Sequence, residues 1–296
     1  MKWQGVFPAI TTPFAPDLTV DHPFLAEHAA WLAESGCPAV VALGSLGEAA
    51  TLDFDEKLAV LTTLVQALHG KADVMAGISS TSTHEAVRLA QAAQAVGCKA
   101  LMVLPQYVYK GDWRENKAHF QAVMRATPLP CMLYNNPVAY GIDVLPEQIE
   151  ELADSEPNLQ AVKESSTDVR RITAIRALLH DRLSLFVGVD DAIVEGIRMG
   201  AVGWIAGLVN AYPKESVLLF ELATANDPRA EELYAWFLPL LRLDTLPKFV
   251  QYIKLAQQQV GMGSERVRPP RLVIEGKERE QVLRTIESAM GASRPS

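Results

Sequence analysis

A lysine lies within one of the most apolar segments of the sequence. Lys163 follows Ala161 and Val162 in LQAVKE, a run typical of a buried strand. An unpaired ammonium is costly to bury, so such a group tends to become neutral, and a neutral lysine can attack a carbonyl carbon to form a Schiff base. The alternative is a structural lysine, paired with an acid such as Glu164 or extended to the rim of the strand.

A tyrosine ends the apolar run that precedes this segment. Tyr134 closes CMLYN, so its hydroxyl is expected at the end of the neighbouring strand, within reach of a substrate bound to Lys163. A hydroxyl in that place can move protons during carbinolamine formation and during C–C or C–O cleavage. Taken alone, Tyr134 also fits a core aromatic residue with one satisfied hydroxyl.

A glycine-containing turn, GSLGE, follows the second apolar run at residues 44–48. Its backbone N–H groups and the Ser45 hydroxyl are suited to holding a carboxylate. The alternative is an ordinary strand-to-helix turn in which the glycines supply a positive φ.

The elements that position these residues recur in a regular rhythm. Eight short apolar runs alternate with amphipathic segments: VFPAIT from Val6, AVVAL from Ala39, DVMAG from Asp73, ALMVL from Ala100, CMLYN from Cys131, LQAVKE from Leu159, LSLFVG from Leu183 and GWIAG from Gly203. This pattern predicts an α/β fold, a (β/α)8 TIM barrel with a C-terminal helical extension. A doubly wound sheet is disfavoured because TTPFAPD, after the first run, lacks the glycine-rich fingerprint.

Helix boundaries are marked at several points in this pattern. Asp53 with Glu56, and Ser82 with Glu85, have the spacing of helix N-caps, Gly97 fits a helix end, and Pro146 fits a first helical turn. We expect the barrel to occupy residues 1–210, through strand eight. Residues 211–296 then form the final barrel helix and a helical extension that is not an independent domain.

Composition excludes several functional classes. The 296 residues are 49% hydrophobic and 21% charged, which excludes a disordered chain. The net charge of −8 argues against nucleic-acid binding, and the apolar runs are too short for a membrane span. The N-terminal residues lack a long apolar stretch of a signal peptide, so a cytoplasmic location is expected.

The sequence also lacks the usual signals of metals and cofactors. It has no P-loop, no HExxH and no Cys/His cluster with metal spacing, so we expect no metal and no cofactor. Three scattered cysteines, Cys37, Cys98 and Cys131, predict buried thiols in a reducing compartment.

Taken together, the strand ends resemble the dihydrodipicolinate synthase / N-acetylneuraminate lyase family of class I aldolase-like enzymes. The resemblance covers nearly the whole chain, through GVFPAITTPF, GSLGE, LPQYVYK, YNNP, AVKES, GVDD and GWIAG, and includes the spacing from Tyr134 to Lys163. It implies that Lys163 forms the Schiff base with a 2-oxo acid such as pyruvate. It implies that Tyr134 relays protons and that Ser45 with nearby amides holds the carboxylate.

The predicted site follows from these motifs. Lys163 and Tyr134 are the catalytic residues, and the substrate-binding residues are Ser45, Leu46, Gly47, Tyr107, Asn136, Ser165, Gly188, Asp190 and Gly207. The resemblance also implies a homotetramer, with Tyr107 near an interface between subunits. The expected partner is a small-molecule 2-oxo acid or imine, with no nucleic acid and no membrane.

Two departures from the family pattern bear on the substrate. Family members that condense pyruvate with aspartate semialdehyde carry a second hydroxyl residue where this chain has Leu46, which cannot relay a proton. They also carry an arginine for the second substrate's carboxylate where this chain has Ala139. Both losses argue against that activity. GVDD resembles the acidic loop of the sialic acid lyases, but Trp204 and Leu208 are apolar for a long polyol.

The best interpretation is therefore a lysine Schiff-base lyase for a small 2-oxo acid or cyclic imine carboxylate. The overall pattern, including DTLPKFVQYIK and RVRPPRL near the end, resembles the branch of the family that acts on small hydroxylated substrates. The specific hypothesis that this resemblance implies is a deaminase/dehydratase of 1-pyrroline-4-hydroxy-2-carboxylate in hydroxyproline breakdown. One alternative is a pyruvate-dependent aldolase of the 4-hydroxy-tetrahydrodipicolinate synthase or N-acetylneuraminate lyase type. Another, from a different class, is a non-catalytic barrel that binds a small carboxylate.

Overall fold

Eight parallel strands form the central sheet of the computed structural model, which describes residues 1–291. The strands are β1 (Gly5–Pro8), β2 (Ala39–Ala42), β3 (Asp73–Ile78), β4 (Ala100–Val103), β5 (Cys131–Asn135), β6 (Leu159–Glu164), β7 (Ser184–Val187) and β8 (Gly203–Ala206). Their order is β1-β8-β7-β6-β5-β4-β3-β2, and a parallel bridge between Ala9 and Val41 brings β1 beside β2. The sheet therefore closes into the predicted (β/α)8 barrel.

Helices alternate with these strands around the barrel. The described residues contain α1 (His22–Glu34), α2 (Phe54–Ala67), α3 (Thr83–Val96), α4 (Trp113–Arg125), α5 (Pro137–Tyr140), α6 (Pro146–Ser155), α7 (Arg170–Leu179), α8 (Ile193–Arg198), α9 (Pro213–Thr224), α10 (Arg229–Leu241), α11 (Phe249–Gln259) and α12 (Gly276–Gly291). Short 3₁₀ helices cover Ala49–Thr51, Asp190–Ala192, Leu208–Asn210 and Arg242–Thr245. No helix among the described residues is long and apolar enough to cross a membrane.

The predicted helix boundaries are present. Asp53 accepts a hydrogen bond from the backbone N–H of Glu56, and the Glu56 side chain accepts one from the Asp53 N–H, which completes a capping box. Ser82 caps α3, Gly97 ends it in the left-handed conformation at φ 107°, and Pro146 is in the first turn of α6. The local sequence signals therefore mark these boundaries correctly.

Two apolar layers explain why the strands are apolar on both faces. One fills the barrel interior with Phe7, Ala39, Val41, Met75, Ala100, Met102, Leu104, Met132, Tyr134, Ala161, Phe186 and Ile205. The other lies between strands and helices. Because interior and exterior residues alternate along a strand, a polar side chain on an interior position must face the centre of the barrel.

The C-terminal segment is joined to the barrel by buried polar contacts. Helix α9 packs against α8 and β1, and α11 packs against the 3₁₀ helix at residues 208–210. The Thr11 hydroxyl donates a hydrogen bond of 2.8 Å to Gln257 of α11. The division at residue 210 stays a prediction, and residues 292–296 of the predicted extension lie outside the described residues.

Candidate active site

Strand register places the two predicted catalytic residues side by side. Tyr134 of β5 pairs with Lys163 of β6, so both side chains face the barrel interior near the carboxyl ends of their strands. Lys163 Nζ lies 3.9 Å from the centre of the Tyr134 ring. Tyr134 is 5% exposed and Lys163 6% exposed. A carbonyl carbon bound to Nζ would therefore lie beside the tyrosine.

Glu164 is not the partner of Lys163. Its carboxylate faces the other side of the strand, where it accepts hydrogen bonds from Asn135 Nδ2 at 3.0 Å and from the backbone N–H of Ser166 at 2.6 Å. Arg171 Nε lies 4.0 Å away, and burial raises the pKa of Glu164. Within residues 1–291, Lys163 Nζ has no ion pair and no hydrogen bond, so the nitrogen is free to approach a substrate.

Three aromatic rings form one cluster at this end of the barrel, which we call the tyrosine cluster (Tyr107, Tyr134 and Tyr140). Tyr140 packs edge-on against Tyr134 and stacks on Tyr107, with both ring centroids 5.6 Å away. Its hydroxyl makes a short hydrogen bond with Ser45 Oγ. Asn136 Nδ2 donates to the Tyr134 hydroxyl at 3.0 Å. The cluster links the predicted proton relay to the predicted carboxylate site.

Tyr140 is a site residue that sequence analysis missed. It ends α5, the short helix whose first residue is the proline of YNNP, and burial raises the pKa of its hydroxyl well above 10.0. The pKa of Tyr107 is also raised by burial, partly offset by hydrogen bonds to Ser79, Tyr140 and Ser45. Both hydroxyls are therefore protonated near neutral pH and can donate hydrogen bonds.

The GSLGE turn is packed tightly against the barrel. A Cβ on Gly47 would lie 3.0 Å from the carbonyl oxygen of Ile10, and Thr12 Oγ1 donates to the Gly47 carbonyl at 2.7 Å. Leu46 is buried in the apolar core that also contains Ile10 and Ala49, whereas the tyrosine cluster packs in the barrel interior. Within this turn, Ser45 is the residue that reaches the tyrosine cluster.

The C-terminal extension holds this turn through a buried ion pair. Glu48, in the left-handed conformation at φ 54°, lies 2.5 Å from Lys254 Nζ of α11, and the Arg268 N–H donates to the same carboxylate at 3.0 Å. Burial lowers the pKa of Lys254 to about 8, although Glu48 opposes the shift. Because removing one partner of such a pair leaves a buried charge, the turn is firmly tied to the extension.

The wall opposite Tyr134 is formed by Ser165 and the end of β7. A Cβ on Gly188 would overlap Ser165 Oγ and would lie 2.6 Å from Lys163 Cε. Glycine is therefore required here for the close approach of the lysine side chain. Ser165 Oγ is buried and has no hydrogen-bond partner among the described residues, so it is a candidate to contact a bound substrate.

Asp190 lies in the 3₁₀ helix after β7, and its carboxylate oxygens are already occupied. It accepts hydrogen bonds from Trp204 Nε1 at 3.0 Å and from the backbone N–H groups of Gly207 at 3.1 Å and Leu208 at 2.7 Å. Burial raises its pKa to about 6, with these hydrogen bonds opposing the shift. Asp190 therefore holds the residues that follow β8, and the charge of Lys163 lowers its pKa. Its role in substrate binding stays a prediction.

Asp244 is the second site residue that sequence analysis missed. It belongs to the 3₁₀ helix Arg242–Thr245 of the C-terminal extension, and its carboxyl packs so close to Gly207 that a Cβ there would overlap it. Burial raises the pKa of Asp244 well above 3.8; Asp190 raises it further and Lys163 lowers it. A carboxyl from outside the barrel sequence thus reaches the mouth of the site.

These groups define the chemistry available. The site offers an unpaired lysine, three neighbouring phenols, and a hydroxyl beside backbone amides. Among residues 1–291, no group of three or more His, Cys, Asp or Glu side chains is placed to hold a metal ion. Fold and site together are those of a (β/α)8-barrel enzyme that works through a lysine Schiff base.

The comparison with known families agrees with this class. The model of the dihydrodipicolinate synthetase family matches residues 2–289, and the chain belongs to that family. It is a Schiff-base-forming lyase of the dihydrodipicolinate synthase type. The family resemblance found in the sequence is confirmed.

Individual relatives match over almost their full length. The chain is 34% identical over 275 residues to the 4-hydroxy-tetrahydrodipicolinate synthase of Halorhodospira halophila, covering 91% of each chain. It is 30% identical over 278 residues to the same-named protein of Desulforamulus reducens, covering 94% of each. The crystal structure of dihydrodipicolinate synthase from Aquifex aeolicus superposes with a TM-score of 0.92 at 28% identity, covering 99% of both chains.

Proposed function

We propose that the protein eliminates water from a small 4-hydroxylated 2-oxo acid or cyclic imine carboxylate. The substrate we favour is 1-pyrroline-4-hydroxy-2-carboxylate, with ammonia and an oxo-acid aldehyde as products. The observation that carries the mechanism is the position of Lys163 Nζ, 3.9 Å from the Tyr134 ring and without a hydrogen bond or ion pair among the described residues. A cyclic imine offers an electrophilic carbon to that nitrogen, as a ketone does.

The geometry supports an order of steps. Lys163 Nζ attacks the imine carbon, the bond from that carbon to the ring nitrogen breaks, and the freed amine takes a proton. Loss of the 4-hydroxyl as water leaves a C3=C4 double bond, which isomerises to an imine between C5 and the former ring nitrogen. Two waters from solvent then hydrolyse this imine and the Lys163 Schiff base, which releases ammonia and the aldehyde. Tyr134 is placed to pass protons during this exchange, and its hydroxyl is oriented by Asn136 at 3.0 Å. Ser45, tied to Tyr140, faces the same space and is suited to the substrate carboxylate.

Loss of the family's arginine supports a substrate with one carboxylate. Position 139 is an alanine, so its side chain contributes no charge. Its backbone N–H donates a hydrogen bond of 2.9 Å to Asn136 Oδ1. Recognition of a second carboxylate by a charged hydrogen bond contributes about 1.5 to 3 kcal/mol. A cyclic imine with one carboxylate does not need that contact.

A second candidate is condensation of pyruvate with aspartate semialdehyde. The names of the matching relatives favour it. One structural observation does too: the Lys110 ammonium packs against Gly141, two residues after Ala139. From there Lys110 could supply the positive charge that Ala139 lacks. The two candidates share Lys163 and Tyr134 and differ in the second half of the reaction.

Parallel assays of the purified protein separate the candidates. One set contains 1-pyrroline-4-hydroxy-2-carboxylate, with release of ammonia and aldehyde measured. The other contains pyruvate and aspartate semialdehyde, with the cyclic condensation product measured. We expect turnover in the first set and its loss in Lys163→Ala. Turnover in the second set alone would contradict the proposal and assign the synthase activity to the protein. Binding of pyruvate without any turnover would favour the non-catalytic alternative.

A further inference from the structure

Two carboxyl groups lie on the same side of the lysine, where β7 and β8 end. Asp190 follows β7, and Asp244 reaches the same place from the C-terminal extension by packing against Gly207. Tyr134 lies on the other side, on β5. A substrate attached to Lys163 Nζ would therefore have a phenol on one side and a pair of carboxyls on the other.

The two carboxyls have opposite hydrogen-bonding environments. Asp190 accepts hydrogen bonds from the N–H groups of Trp204, Gly207 and Leu208. Such donors favour an ionised carboxylate. Asp244 has no hydrogen-bond donor among the described residues. Since two neighbouring carboxyls in a poorly solvated place do not ionise together easily, the proton is held by the one without donors. Asp244 is therefore the protonated member of the pair.

Other charges near Asp244 agree with this distribution. The negative groups that act on it are Asp190 and Asp191, both from the 3₁₀ helix after β7, and the positive group is Lys163 of β6. Asp191 Oδ2 is 3.6 Å from Arg242 Nε, and this positive charge weakens the effect of Asp191 on the pKa of Asp244. Burial raises the pKa of Asp244 more than Lys163 lowers it. When Lys163 becomes a neutral enamine, the opposing positive charge is lost as well.

We propose that Asp244 is the acid that protonates the leaving hydroxyl of a substrate bound to Lys163. This inference rests on the proposed function, and it names the substrate class as one with a hydroxyl on the carbon two positions from the Schiff-base carbon. It is drawn from the contact of the Asp244 carboxyl with Gly207, just after β8, and from the lack of a hydrogen-bond donor to that carboxyl among residues 1–291. The acid lies on the opposite side of the lysine from Tyr134.

The step balances without any other reactant. C2 is the Schiff-base carbon, and the enamine forms when the Schiff base loses a proton from C3. In the enamine, the nitrogen lone pair forms the C2=N bond and the C2=C3 pair moves to C3=C4. The C4–O bond breaks with its electron pair on oxygen, which takes the proton of Asp244 and leaves as water. Asp244 remains as a carboxylate and is reprotonated from solvent. Aldol cleavage instead needs a base to take the hydroxyl proton, which a protonated Asp244 cannot be.

The test compares leaving groups that do and do not need a proton. The probes are 1-pyrroline-4-hydroxy-2-carboxylate and its 4-fluoro analogue, since fluoride leaves without an acid. Asp244→Asn keeps the shape and removes the acid, and we expect turnover of the hydroxy compound to fall by about 10²- to 10⁴-fold. Fluoride release should be unchanged. Asp227→Asn, a carboxylate of the same extension paired with Arg229, is the matched control.

Each outcome decides the matter. Equal turnover of the hydroxy compound by Asp244→Asn and the parent overturns the inference, and so does a parallel loss with both probes. Should Asp244→Asn not fold, Asp244→Ala is assayed with added acetate, and acetate must restore turnover of the hydroxy compound only. Borohydride trapping of pyruvate on Lys163 is followed in every variant. Intact trapping with no elimination by the parent overturns the proposed function together with this inference.

Discussion

Lys163 Nζ lies 3.9 Å from the centre of the Tyr134 ring, and the two residues are paired in register on adjacent strands. The relationship depends on the backbone of two buried strands, so it does not require a flexible loop to form it. Burial of both side chains, at 5% and 6% exposure, keeps bulk water from the reacting nitrogen. The barrel thus holds the proposed nucleophile and the proposed proton relay side by side before substrate arrives.

Removing the Tyr134 hydroxyl should slow the reaction without affecting the fold. In Tyr134→Phe the ring still packs against Tyr140, but protons can no longer pass through the phenol. We expect turnover to fall by about 10²- to 10⁴-fold. Steady-state assays give the turnover, and thermal unfolding checks the fold. Unchanged turnover would make Tyr134 a packing residue.

Removing the Ser45 hydroxyl should weaken substrate binding more than chemistry. A lost hydrogen bond to a carboxylate costs about 1.5 to 3 kcal/mol, or about 10- to 150-fold in affinity. Ser45→Ala should therefore raise KM by that factor and leave kcat much less affected. Ser288→Ala, at an exposed position of α12, is the control. A fall in kcat with constant KM would indicate that Ser45 acts in proton transfer instead of substrate binding.

Condensation of pyruvate with aspartate semialdehyde should be negligible, because Ala139 cannot hold the second carboxylate. The charged contact it lacks corresponds to about 10- to 150-fold in binding. Installing the charge in Ala139→Arg should raise this condensation. If the parent already condenses efficiently, Lys110→Met is the decisive variant. Loss of condensation in that variant would show that Lys110, packed against Gly141, replaces the arginine.

Acid should destabilise the fold through His28. The imidazole is fully buried, Nδ1 has no partner among the described residues, and burial lowers its pKa from 6.5 to about 4. Its neutral form contributes stability that is present above pH 6.5 and is lost as the pH falls towards 4, about 3 kcal/mol in all.

Denaturant unfolding between pH 7 and 4 measures this loss. In His28→Gln the fall in stability should be smaller, because glutamine does not titrate. His84→Gln, at an exposed site, should retain the parent's dependence. A dependence in His28→Gln as steep as the parent's would assign the acid sensitivity to other groups.

Most of the fold could be predicted from the sequence, because the signals that specify strands and helix starts are local. Apolar runs specify strands, and residues such as Asp53 and Ser82 specify helix starts within a few positions of themselves. Lys163 could be identified for a related reason, since a charge within an apolar strand is conspicuous. The barrel was predicted on this basis, and the Schiff-base class from the family resemblance of the strand ends; both are confirmed.

Tyr140 and Asp244 could not be predicted in the same way. Tyr140 reaches Ser45 only because the short helix α5 turns the chain back over the barrel. Asp244 lies in a segment of mixed polar and apolar residues between α10 and α11, and its place beside Gly207 depends on how these helices pack. Their contacts join distant parts of the chain, and the local sequence of neither residue shows which side chains it will meet.

The most direct measurement is the identity of the residue that borohydride fixes to pyruvate. The protein is incubated with pyruvate, reduced with borohydride, digested and examined by peptide mass spectrometry. We expect one reduced pyruvate on Lys163 and none in Lys163→Ala, whereas Lys254→Met, which removes the other buried lysine, should still be labelled at Lys163 if it folds. Equal labelling of the parent and Lys163→Ala would contradict the Schiff-base assignment.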